Sequence, residues 1–98
     1  MKTYHVYILK CADNSYYTGV TSDLIGRITA HKSGKHRESY TYSRRPVELV
    51  FFAEFTNVEL AISTEKQIKK WSSAKKEALI EGNFDRLPNL ARKKFREK

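Results

Sequence analysis

The stretch that decides the fold is Tyr4-His5-Val6-Tyr7-Ile8-Leu9-Lys10-Cys11-Ala12-Asp13-Asn14-Ser15-Tyr16-Tyr17-Thr18-Gly19-Val20. Residues 4–10 alternate as a strand does, yet both faces are apolar: Val6 and Ile8 on one, Tyr7 and Leu9 on the other. A strand of this kind is covered on both sides. Residues 12–15 are a cluster of turn formers, and residues 16–20 read as a second strand. Together, residues 4–20 predict a β-hairpin. Gly19 leaves part of its surface bare, so a second backbone or a substrate can approach closely there.

Working outward, Thr21-Ser22-Asp23 offers helix caps, and Leu24, Ile28 and His31 recur at helical spacing. A helix from Leu24 to Lys32 follows, closed by Gly34. Residues 35–46 are polar and basic and read as a loop ending at Pro46. Val47 to Phe55 predicts a third strand, again apolar on both faces through Leu49, Val50, Phe51 and Phe52. Thr56 with Glu59 fits a capping box, and Phe55 with Leu60 a hydrophobic staple. The long helix that follows, from about Val58, has an apolar stripe through Val58, Ala61/Ile62, Ile68 and Trp71. It breaks at Ser72-Ser73, with Ser73 as the cap of a further helix ending at Gly82. The order is β-β-α-β-α-α, an α/β (α+β) fold with a small three-stranded antiparallel sheet flanked by helices. Residues 1–83 form one domain, and residues 84–98 a basic tail with the length for one short helix.

At 98 residues the chain buries roughly 60–65% of its unfolded surface, so the core is modest. No apolar run reaches membrane-helix length, and no signal peptide is expected. The single cysteine, Cys11, excludes an internal disulfide and a cysteine metal cage, so a cytoplasmic protein is expected. Nineteen Lys+Arg against eleven Asp+Glu give a net charge of +8. Such a chain commonly meets a polyanion. The charge is also blocked. Residues 27–45 carry six positive groups against Glu38, residues 46–65 carry four glutamates, and Lys66, Lys69, Lys70, Lys75 and Lys76 follow without an acid among them. Blocks of one sign predict a positive face.

Arg27 and His31, four apart, meet on one helical face at the border of the core. A guanidinium there clamps a phosphate, and an imidazole moves protons near neutral pH. The bland reading is a solvated arginine and a rim histidine. Glu65 falls inside the apolar stripe, three residues from Ile62 and from Ile68. A carboxylate facing a core costs several kcal/mol in order of magnitude unless it is paired or binds metal. Two readings stand: an ion pair with Arg27, or a ligand for a hard divalent cation.

The ordered set resembles the GIY-YIG nuclease family. His5-Val6-Tyr7 and Tyr17-Thr18-Gly19 correspond to its two named triplets, Arg27 and His31 to its helical Arg-x-x-x-His, and Glu65 to its later glutamate. The resemblance spans about residues 4–81 and is strongest to the small stand-alone bacterial members. His5, Val6 and Thr18 depart from the triplets, and none of these changes removes a side chain used for chemistry.

The resemblance implies a metal-dependent endonuclease acting on DNA phosphodiesters, structure-directed or weakly sequence-specific. Glu65 would hold a single Mg²⁺ or Mn²⁺. Arg27 would neutralise charge on the transition state. Tyr17 would deprotonate the attacking water and Tyr7 orient it, with His31 as the rival base. A free phenol has a pKa near 10, so it needs help from neighbouring charge. Lys35, Arg44, Arg45, Lys66, Lys69 and Lys70 would track the DNA backbone. A protein partner would supply any stricter specificity. The alternative is a non-catalytic nucleic-acid-binding module on the same scaffold.

A shared site needs Tyr7 and Tyr17 on one face of the sheet. A two-residue loop would set Tyr17 opposite Lys10 and separate them, so an odd loop of three or five residues is expected.

Overall fold

The computed structural model describes residues 2–82. The tail 84–98 and its expected helix lie outside the described residues. The elements run β1 (Tyr4–Lys10), β2 (Tyr16–Thr21), α1 (Leu24–Ser33), a 3-10 turn (Tyr42–Arg44), β3 (Glu48–Phe55), α2 (Val58–Lys69) and α3 (Ser73–Ile80). The sheet is antiparallel in the order β2-β1-β3. The expected β-β-α-β-α-α order and α+β class hold.

The central strand is the one apolar on both faces. Val6, Tyr7, Ile8 and Leu9 are all fully buried. Val6 and Ile8 belong to one core cluster with Ala53, Phe55, Ala61, Ile68, Ala78 and Leu79, against α2 and α3. Tyr7 and Leu9 belong to a second cluster with Cys11 and Val47, against Leu24 and Ile28 of α1. The sheet is therefore sandwiched, with α1 on one side and the α2–α3 pair on the other.

The hairpin closes through three residues, Ala12-Asp13-Asn14. The Cys11 N–H donates to the Ser15 carbonyl, and Asn14 takes the left-handed conformation at φ 67°. The odd loop sets Tyr7 opposite Gly19 and Leu9 opposite Tyr17. Tyr7 and Tyr17 thus share the α1 face, as expected.

In β3 the pairing slips between Ile8 and Leu9, so Val50 is an extra residue and a bulge. The bulge sends both Val50 and Phe51 towards the α2–α3 cluster, while Leu49 joins the α1 cluster. Cover on both faces fails at Phe52, which is 53% exposed because β3 is an edge strand and α1 does not reach it.

α1 and α2 start where expected, at Leu24 and Val58, but the caps of α2 and α3 each differ by one residue. Asn57, not Thr56, caps α2, its side chain accepting from the Leu60 N–H at 3.0 Å. An asparagine is as good a cap as threonine, and its position shifts the first turn. Leu60, expected to staple against Phe55, is 44% exposed. Ser72, not Ser73, caps α3, accepting from the Lys75 N–H at 3.3 Å. The buried stripe of α2 is Ala61, Thr64, Glu65 and Ile68, at i, i+3, i+4 and i+7. Val58 and Ile62, expected in it, lie outside and are exposed. The methyl of Ala61 and the short Thr64 let α2 lie close on the sheet where an isoleucine would hold it off.

Candidate active site

Tyr7, on the middle strand, and His31, in the last full turn of α1, meet beneath the surface. The Tyr7 hydroxyl lies 2.9 Å from His31 Nε2, and His31 Nδ1 lies 2.8 Å from Thr41 Oγ1. The Thr41 hydroxyl continues to Ser39 Oγ at 3.2 Å. Tyr7 and Thr41 are fully buried and His31 is 9% exposed. The Tyr17 ring packs on His31 at 5.1 Å between centroids, and Tyr40 stacks on its outer side at 6.0 Å. The column from the inside outward is therefore Tyr7, His31, Tyr17 and Tyr40, with only the last two rings open to solvent.

Burial chiefly, and the neighbouring Tyr17 next, push the Tyr7 phenol well above its ordinary pKa, while Arg27 pulls it down. Burial also lowers the His31 pKa, helped by the positive charge of Arg27 and then His36. The pair is therefore a protonated phenol against a neutral imidazole at neutral pH. Acidification should cost stability with a definite sign. A histidine whose folded pKa lies below the unfolded value of 6.5 binds more protons when the chain unfolds. Stability is full above about pH 6.5 and falls as the pH drops through the folded value. Chemical denaturation across that window should show the loss, and a His31→Asn variant should lack that part of the slope.

Gly19 opposes Tyr7 across the hairpin. A Cβ built there would come within 2.5 Å of Tyr7 Cζ and of its hydroxyl. The glycine is required by this ring and not by backbone conformation. Gly19→Ala should cost about 1–3 kcal/mol in thermal melts by forcing the ring aside. It should also release the Tyr7–His31 contact, which the His31 imidazole NMR signals would report.

Arg27 is exposed and borders a cavity of about 340 Å³ with Thr21, Asp23, Gly26, Lys35 and His36. Its charge reaches Tyr7 from that side. A second cavity, of about 280 Å³, opens beside Tyr17, lined by Tyr16, Tyr17, Thr18, Tyr40, Lys69 and Lys76. Glu65 is on α2, in the opposite layer from Tyr7. It is 8% exposed and pairs with Lys69 at 3.3 Å, not with Arg27. Through Lys69 it borders the same cavity as Tyr17.

The structure thus brings Tyr7, Tyr17, Arg27 and His31 together on one face, and sets Glu65 beside Lys69 at the β2 edge. Lys35, Lys66 and Lys70 are exposed. Arg44 and Arg45 are engaged in the loop itself. Arg44 pairs with Asp13 at 3.1 Å and lies over the Tyr40 ring at 3.9 Å. Arg45 lies over the Tyr42 ring at 4.4 Å and donates to the Tyr42 carbonyl at 2.9 Å.

Among the described residues no group of three or more His, Cys, Asp or Glu side chains forms a metal cage. Zinc and calcium want such a cage. Mg²⁺ does not: one carboxylate, several waters and substrate oxygens suffice, and a lone hard carboxylate such as Glu65 fits that ion.

Sequence reasoning misses Thr41 and Tyr40 as site members, because a loop has no periodicity to mark an inward side chain. It also passes over Lys76 and Thr18. Lys76 carried a signal, since it precedes Leu79 by three residues and Ile80 by four and so shares their inward face.

The chain is 42% identical over 87 residues to a UPF0213 protein of Syntrophus aciditrophicus, covering 89% of this chain and all of that one. It is 45% identical over 75 residues to the UPF0213 protein YazA of Bacillus subtilis, covering 76% and 75% of the two chains. The solution NMR structure of a UPF0213 protein from Bacillus halodurans superposes with a TM-score of 0.53 at 43% identity, over 81% of this chain and 83% of that one. A solution NMR structure of a protein from E. faecalis superposes with a TM-score of 0.60 at 28% identity, over 90% and 93%. The sequence pattern of the GIY-YIG catalytic domain matches residues 3–78, the span that holds both tyrosines, Arg27, His31 and Glu65. The chain belongs to the GIY-YIG family, whose shared element is a nuclease-type catalytic domain.

Proposed function

We propose that the protein is a Mg²⁺- or Mn²⁺-dependent endonuclease that hydrolyses DNA phosphodiester bonds, with residues 1–83 as its catalytic domain. The observation that carries the reading is the column of Tyr7, His31, Tyr17 and Tyr40, in which Tyr17 lines an open cavity together with Lys69, the partner of Glu65.

Tyr7 is too deeply buried to touch a substrate water, whereas Tyr17 is half-buried and lines an open cavity. Tyr17 is therefore the group that orients the attacking water and takes its proton. Tyr7 and His31 support it from below. With Nε2 accepting from the Tyr7 hydroxyl, Nδ1–H donates to Thr41, and the imidazole is held neutral and in one orientation. Arg27, exposed and uncommitted to any carboxylate among the described residues, clamps the phosphate and offsets its developing charge. Glu65 would hold the cation, releasing Lys69, and the cation when bound polarises the phosphate and steadies the leaving oxygen. Lys35, Lys66, Lys69 and Lys70 contact the DNA backbone without reading bases, and Arg44 and Arg45 contribute by holding the loop beside it.

Specificity then comes from DNA structure or from a partner protein. Among the described residues no helix is long and apolar enough to cross a membrane. The lone buried Cys11 thiol suits a cytoplasmic enzyme. The test is a panel of labelled DNAs, including duplex, nicked, branched and single-stranded forms, incubated with the purified protein with and without Mg²⁺ or Mn²⁺. Cation-dependent cutting of at least one is expected. DNA binding with no cutting would favour the non-catalytic module.

A further inference from the structure

The cavity between the β2 edge and the α2–α3 pair holds features that the chemistry above does not use. Lys76, on α3, is 8% exposed and lines it. No carboxylate among the described residues pairs with its ammonium. The nearby acids are engaged elsewhere: Glu77 accepts from the Tyr16 hydroxyl at 3.1 Å, and Glu65 pairs with Lys69. Lys69, a second cation, borders the same cavity. The Thr18 hydroxyl, from the other wall, is 1% exposed and makes no hydrogen bond among the described residues. Burial first, and repulsion from Lys69 second, hold the Lys76 pKa below its ordinary value. The unpaired Lys76 ammonium and the Thr18 hydroxyl share one space with Lys69, whose own partner is Glu65, and the component this set lacks is an anion for Lys76. Tyr17 and Tyr40, on the same cavity, have ring faces on which a base or sugar can rest.

We propose that this cavity is a phosphate subsite, in which Lys76, Lys69 and Thr18 hold a backbone phosphate of the DNA strand next to the one being cut. The ligand rests on the nuclease reading, and the anion site rests on the cavity. Lys76 is then a residue that places the strand across Tyr17, and its burial is the cost of having the charge ready before DNA arrives.

The test is Lys76→Met, which keeps the length of the side chain and removes the charge, with Lys75→Met as the control. Lys75 is an exposed neighbour on the same helix, so it matches the loss of net charge. Affinity for a labelled DNA duplex is read by fluorescence anisotropy over a range of salt without divalent cation. Lys76→Met should bind about tenfold more weakly at low salt. Its log–log salt slope should be shallower by about one. Lys75→Met should stay close to wild type, and Lys76→Arg should recover most of the loss. Melting temperatures verify folding, and Lys76→Met should melt at or above wild type because an unpaired buried charge is gone.

Equal losses from Lys75→Met and Lys76→Met would overturn the subsite, since net charge alone would then account for both. Wild-type affinity and slope in a Lys76→Met protein that still cuts DNA would overturn it and leave the nuclease reading standing. A Lys76-dependent slope in a wild-type protein that cuts nothing in Mg²⁺ would support the anion site and remove the nuclease reading. Inorganic phosphate added alone should displace the duplex only at millimolar levels. Displacement at micromolar phosphate would make the free anion the ligand and overturn the backbone assignment.

Discussion

Glu65→Gln is expected to lower cleavage in Mg²⁺ by about 10³-fold or more, because a cation at the phosphate contributes several kcal/mol to the barrier. The same substitution should leave stability nearly unchanged. The Glu65 side chain is buried, but its partner Lys69 is 59% exposed and turns to water when the carboxylate is gone. Pairs at i, i+4 with one exposed member contribute about 0.3–0.5 kcal/mol. The amide is isosteric, so no cavity opens. DNA binding should persist through the lysines with its salt dependence intact. Thermal melts and cleavage time courses on one preparation separate the two roles. A variant that melts well below wild type yet still cuts in Mg²⁺ would make Glu65 a structural residue.

Arg27→Ala is expected to reduce cleavage by about 10²–10³-fold, the effect of removing one preorganised donor from a charge that develops in the transition state. The fold should survive, since Arg27 is exposed and no carboxylate among the described residues pairs with it. Arg27→Lys should rescue poorly, because lysine lacks the planar fork that grips two phosphate oxygens. The removal of Arg27 should also raise the Tyr7 phenol further, since the guanidinium is what pulls it down, and should relax the depression of His31. The His31 shift is readable by NMR titration even in a variant too slow to assay. Near-wild-type cleavage by Arg27→Lys would show that a point charge is enough.

The sheet is legible in the sequence because Val6, Tyr7, Ile8 and Leu9 can be buried together only in a strand covered on both sides. The parity of the hairpin loop is legible from the requirement that two tyrosines share a face, and the observed three-residue loop meets it. The ends of α2 and α3 are less so. Thr56 and Asn57, or Ser72 and Ser73, are adjacent residues that can each cap a helix, so the pattern leaves each cap open by one residue.

Periodicity brings Arg27, His31 and Glu65 into view because helices repeat. It is silent about Thr41, which reaches His31 from a loop, and about the β3 bulge, whose effect is to turn Val50 and Phe51 to the same side. The buried position of Glu65 is legible, but its partner is not. Lys69 and Arg27 are both basic, and the choice between them depends on α1 and α2 lying on opposite faces of the sheet.

The central claim is that this domain cuts DNA with a divalent cation held by Glu65. Its most direct measurement is the cleavage of labelled DNA by wild-type and Glu65→Gln proteins side by side, with Mg²⁺ titrated from none to saturation. Cutting should rise with Mg²⁺ in the wild type and be absent at every concentration in the variant, while both proteins bind the same DNA. Cutting that is equal in the two proteins, or that does not depend on the cation, would contradict it.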